Sequence, residues 1–250
     1  MTTPAPQRAS VDFWNRMMVL DRDDGADLDR INWRLSKEAE RSPHDFVTRL
    51  AAARGLLRRG RKADAMTHLD VAWNSKSGRS AVELINLAVV LCDGGRLEDS
   101  LTLLKALLGR PEAHNDQRLH DAAVGLGLRL GDATLIEHAG ESTGIRDELV
   151  PRFCARLRDD GLISAFTSHQ RAVESVAGAA TCGTNGALLL DEDGDVGVLL
   201  TYFTALEAQD RYELYGHLSH ALAQHGAEAA SSVVSVFFSG PEIACPEEPL

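Results

Sequence analysis

Glycine recurs at Gly25, Gly60, Gly95 and Gly131, in steps of 35, 35 and 36 residues, and each stands between two apolar runs. Glycine ends helices because it adopts the left-handed C-terminal geometry without a steric penalty. A fixed period of this length admits few folds. It specifies stacked helix pairs, each unable to bury its apolar face alone, and arrays of this kind usually bind rather than catalyse.

The clearest unit is 81–111. Leu84, Leu87, Ala88 and Leu91 fall at helical spacing and predict one buried face, after which Gly94-Gly95 stops the helix. Leu97, Ser100, Leu101, Leu104, Leu107 and Leu108 carry the return helix, and Pro111 ends it. The preceding unit repeats the scheme: Ala52, Ala53 and Leu56 face inward, Gly60 turns, and Ala65, Leu69 and Ala72 pack back. Small side chains at these places let antiparallel helices approach closely.

Set on a pattern of about 34 residues, these positions resemble the tetratricopeptide-repeat (TPR) family over about 11–143. The flanking units are worn. Trp14, Met17 and Met18 fit around Gly25, but Asp21 and Arg30 stand where apolar residues are expected. Leu119, Ala123 and Leu126 fit around Gly131, whereas Gly125 and Gly127 each weaken a helix by about 1 kcal/mol relative to alanine. A further pair is expected from Arg146 to Val176, turning at Gly161.

The TPR resemblance implies a concave groove lined by the first helix of each pair. Its outward-leaning positions would be Arg54 and Arg58, then Val82, Ile85 and Val89, then Arg118 and Arg129. Two readings of these residues stand side by side. The arginines form a solvated face with partners one turn away, or they fork the carboxylates of an apolar-acidic peptide whose side chains fill the centre. The lysine and asparagine clamp of some family members is not carried over, because only Asn86 lies near such a place and no lysine does.

The net charge of −11 is unevenly distributed. Residues 1–177 hold 25 basic and 26 acidic side chains, while 178–250 hold Arg211 against 11 acidic ones. A boundary near 177–185 follows, dividing a helical domain, 11–177, from a small acidic one, 178–250. The acidic part is unsuited to nucleic acid, whose phosphates demand Lys and Arg. Within it, Ala187–Leu190 and Val196–Phe203 read as strands around an Asp-Gly turn at 191–195. A helix is expected over about 207–225 with Tyr212, Tyr215, Leu218 and Leu222 on one face, then a third strand over Ser232–Phe238. Preceded by a helix at 162–177, the order α-β-β-α-β with the hairpin Gly186–Gly194 resembles the Roadblock/dynein-light-chain family. That resemblance implies a small dimeric platform for GTPases or motor subunits, although the family's final strand and helix are missing.

Catalytic and metal motifs are sparse. Asp191, Asp193 and Asp195 suggest a calcium loop, but Val196 and Tyr202 occupy the places where an EF-hand needs glycine and glutamate. His217 and His220 share a helix face without a third ligand, and His225 points elsewhere. Cys92, Cys154, Cys182 and Cys245 are widely spaced, as in a reducing compartment. No run of about 18 apolar residues suggests a membrane span, and residues 1–8 lack the apolar core of a secretory signal.

The expected fold is therefore mainly α: a TPR-like antiparallel helix-pair solenoid followed by a small β-β-α-β unit. The expected function is non-enzymatic and cytoplasmic, that of an adaptor or scaffold capturing a protein or peptide without cofactor or metal. The C-terminal unit would add homodimerisation or a second docking surface. An acidic end, Pro246–Leu250, is expected to fold back on Arg54, Arg58, Arg118 or Arg129, so that removing 244–250 raises partner affinity. Two other readings remain open: an enzyme or metal-dependent regulator using Cys182, His169, His217 or His220, and a secretion or assembly chaperone.

Overall fold

The computed structural model describes residues 25–42, 44–190 and 194–240. The molecule is mainly helical, with a small sheet after the helices. A long helix, α1 (Gly25–Arg41), precedes the pairs α2 (Phe46–Arg58) and α3 (Lys62–Asn74), α4 (Ala81–Asp93) and α5 (Leu97–Leu108), and α6 (Gln117–Leu130) and α7 (Ala133–Thr143). The expected further pair is present as α8 (Leu149–Asp159) and α9 (Ile163–Ala177). Gly60, Gly95, Gly131 and Gly161 have φ of +69°, +82°, +66° and +66°, so the period in sequence is a period of left-handed turns. Gly25 instead begins α1, and Trp14, Met17, Met18 and Asp21 lie outside the described residues, as does the acidic end.

The array interior follows the apolar periodicity. Leu84, Leu87, Ala88 and Leu91 of α4 pack with Leu104 and Leu107 of α5 and with Leu69 and Ala72 of α3. Ser100 Oγ donates to Ala88 O at 2.7 Å, satisfying the one polar group that the α4–α5 seam encloses at that point. A reciprocal capping box opens α4, with Ser80 and Glu83 each accepting from the other's backbone N–H. Gly127 has a use beyond its helix cost: a Cβ there would stand 2.6 Å from Ile136 Cγ1, so its absence lets α7 close on α6.

Strands β1 (Thr181–Leu190), β2 (Val196–Thr204) and β3 (Val234–Ser239) form one sheet in the order β1-β2-β3. β1 and β2 pair antiparallel through the hairpin, and β2 and β3 pair parallel. Parallel neighbours need a crossover, which helix α10 (Ala208–Gln224) supplies. The β-β-α-β order is thus the expected one, with three corrections. β1 begins at Thr181, not Ala187, because its polar first half is held by pairing with β2 rather than by apolar propensity. β3 begins at Val234, since Glu228–Ser232 form a 3-10 turn. Tyr212 is 75% exposed: the buried stripe of α10 is Leu214, Leu218 and Ala221, rotated from the expected one.

Alternation along β2 buries Val196, Val198, Leu200 and Tyr202 on one face. That face shares a second core with Phe153 and Leu157 of α8 and Phe166 and Val173 of α9. Phe153 and Phe166 meet edge to face at 5.5 Å, and Tyr215 of α10 covers Phe238 of β3 at 4.9 Å. The charge changes near 177–185, yet this core runs straight across that point. β1 also packs against α2, α4 and α6, the first helices of three successive pairs. The sheet therefore lies along the side of the array where a groove is expected.

Candidate binding cavity

Between the first helices and β1 lies a cavity of about 660 Å³. Its walls come from α2 (Arg54), α4 (Ile85, Asn86, Val89, Asp93), α6 (Arg118, Asp121, Leu126, Arg129) and β1 (Thr184, Asn185, Gly186). Of the seven groove positions expected from the sequence, Arg54, Ile85, Val89, Arg118 and Arg129 line this cavity. Arg58 and Val82 do not. Val82 is solvent-exposed near the start of α4, and Arg58 is half-buried near the end of α2.

The five that converge play different parts. Ile85 is 2% exposed and belongs to the array core, so it serves as floor rather than as an outward-leaning side chain. Val89 is half-buried beside it. Arg118 stands exposed at the rim, near the N-terminus of α6, with no ion pair among the described residues.

Arg129 departs furthest from expectation. It is 1% exposed and donates to Glu174 of α9 twice, Nε to Oε1 at 2.6 Å and Nη2 to Oε2 at 3.1 Å. Its Nη1 donates to Cys92 O at 2.6 Å, and its guanidinium lies 5.8 Å from the Tyr202 ring centroid. Burial opposes its charge, but Cys92 and Glu174 more than offset that and raise its pKa. One side chain thus ties α6 to α4, α9 and the sheet. The repeat pattern places a residue on a helix face but cannot foresee that a strand 55 positions later will cover it.

Other groups gather at this junction. Lys62 Nζ, half-buried at the start of α3, donates to Gly178 O at 2.8 Å. Burial, joined by the charge of Arg129, lowers its pKa despite Glu174 and Cys182. Tyr202 Oη donates to Gln170 Oε1 at 3.4 Å, and burial raises its pKa well above the usual value. Asp93 Oδ1 accepts from the backbone N–H of Thr184 at 3.3 Å. The sequence offers no periodic signal for any of these contacts.

The residues weighed for chemistry lie in separate places. Cys182 is buried in β1 with its thiol 3.2 Å from Phe203 O. His169 is enclosed in α9 beside Gln170, and burial lowers its pKa to about 4. His217 and His220 are exposed on α10. Among the described residues no group of three or more His, Cys, Asp or Glu is arranged to hold a metal ion. Likewise, none of the described helices is long and apolar enough to cross a membrane. No protein-family model, no curated protein and no solved structure matches the chain.

Proposed function

We propose that this chain is a non-enzymatic interaction module, an adaptor or scaffold of the cytoplasm, that takes a short peptide segment of a partner into the cavity between its first helices and β1. The observation that carries the reading is the cavity itself. It has an apolar floor of Ile85, Val89 and Leu126, a polar wall of Asn86, Asp93 and β1, and the charged side chains of Arg54, Arg118 and Asp121 around it, with Arg118 exposed at the rim. A volume of about 660 Å³ is within the range of sites that enclose a drug-sized ligand. That suits a few residues of peptide better than a long helix, whose diameter with side chains is about 10–12 Å. The occupant would bury one or two apolar side chains on the floor and turn a carboxylate toward Arg118, whose fork matches it. The unbridged thiols of Cys92, half-buried, and of Cys154 and Cys182, both buried, accord with a reducing compartment.

The test is a fluorescence-polarisation screen of labelled heptapeptides that alternate apolar residues with Asp or Glu. Binding should weaken at least tenfold in Val89→Glu and Arg118→Glu, with unchanged thermal unfolding. A screen without binders, or variants that bind as the parent does, contradicts the reading.

A further inference from the structure

Among the described residues β1 is paired on one side only, and the direction of its unpaired groups can be read from the register. Thr184 opposes Tyr202, yet its N–H donates to Asp93 instead of to β2. Val198, which opposes Leu188, likewise sends its N–H away from β1, to Val233 O at 2.8 Å. In an antiparallel ladder such pairs alternate with hydrogen-bonded ones, so every second residue of a strand directs both N–H and C=O outward. Gly186, Leu188 and Leu190 share the parity of Thr184, and their backbone groups face the free edge. The edge begins at the cavity wall, where Thr184 and Gly186 stand, and runs out to Leu190.

The outer half of this edge has none of the usual protection. Strand edges are commonly blunted by lysine, by proline or by an inward charge. β1 reads Thr-Cys-Gly-Thr-Asn-Gly-Ala-Leu-Leu-Leu, without charge or proline over ten residues, and Leu189 and Leu190 are 48% and 51% exposed. Its first half is shielded by the array, and Asp93 already occupies one outward N–H as an added strand's carbonyl would. Beyond that point no strand among the described residues pairs with the edge.

Building on the reading of the cavity as a peptide site, we infer that the occupant binds as an added β-strand: an extended apolar-acidic segment that pairs with the outward groups of Gly186, Leu188 and Leu190 and runs into the cavity past Arg118. Main-chain pairing supplies affinity, and alternate side chains supply specificity. A second copy of this chain fits less well, because the first helices stand beside the same edge and would meet those of the other copy.

The probe is the tightest heptapeptide from the alternating apolar-acidic screen, resynthesised with each backbone amide N-methylated in turn. N-methylation removes a donor without changing the side chain. Expected is at least tenfold weaker binding at every second position and little change between. Leu190→Pro, which removes an outward N–H at the exposed end of β1, should weaken binding similarly while thermal unfolding stays within a few degrees. If the peptide binds and Arg118→Glu abolishes binding, but N-methylation shows no alternation and Leu190→Pro is neutral, strand addition is overturned and the cavity reading survives. If no peptide binds, both fall. If light scattering shows a dimer that Leu190→Pro makes monomeric, the edge serves a second copy and the inference is wrong.

Discussion

Around Leu87 the interior is aliphatic and local, built from α3, α4 and α5; around Arg129 it is polar and assembled from α4, α6, α9 and the sheet. Both side chains are almost fully enclosed. In the first region, neighbouring pairs bury one another's apolar faces, so stability is roughly a sum over adjacent units. In the second, a charge is buried and stays charged because its partners are in place. The lesson is that the array holds itself together by repetition, whereas its union with the sheet depends on a few specific partners.

The largest effect should come from breaking that union. Arg129→Met is expected to cost about 3–5 kcal/mol in urea unfolding, because Glu174 is left without its partner. Arg129→Met combined with Glu174→Leu should recover most of the loss, since replacing a buried pair by apolar groups is often neutral. A double variant no more stable than the single one would show that the junction does not depend on this pair.

Acid should also weaken the sheet-side core. In the unfolded chain an imidazole titrates near 6.5, but burial holds His169 at about 4. Between these values the unfolded state binds the extra proton, so stability is full above pH 6.5 and falls as pH drops toward 4, by about 3 kcal/mol at most. His169→Gln should flatten this dependence in thermal melts between pH 7 and 4. An unchanged slope would assign the acid sensitivity to other groups.

The smallest effect belongs to the array. Ser80→Ala removes one half of the α4 capping box and should cost about 1 kcal/mol. It should leave the pH dependence untouched, because the cap lies in the repetitive region. A loss as large as that of Arg129→Met would erase the distinction between the two regions.

The same contrast explains what could be read from the sequence. The turns at Gly60, Gly95 and Gly131 and the buried stripe of α4 follow from a periodic pattern, which is a local property. The order of the last elements was legible because Ala187–Leu190, Val196–Phe203 and Ser232–Phe238 are short apolar runs, although the buried stripe of α10 was not. The partners of Arg129 were not, because Glu174 and Tyr202 lie 45 and 73 positions away and no spacing links them. Arg118 and Val89 were found on the cavity wall because a helix face is set by its own residues. That β1 supplies the opposite wall was missed: its half nearest the cavity, Thr181–Gly186, is small and polar and gives no strand signal.

The claim on which the rest depends is that β1 lies beside the concave cavity with one edge unpaired. Residue-resolved amide hydrogen exchange of the free protein tests it directly. The N–H groups of Ala187 and Leu189, which face β2, should be protected, and those of Leu188 and Leu190 should exchange rapidly. Protection that is uniform along 186–190, without this alternation, would contradict the account.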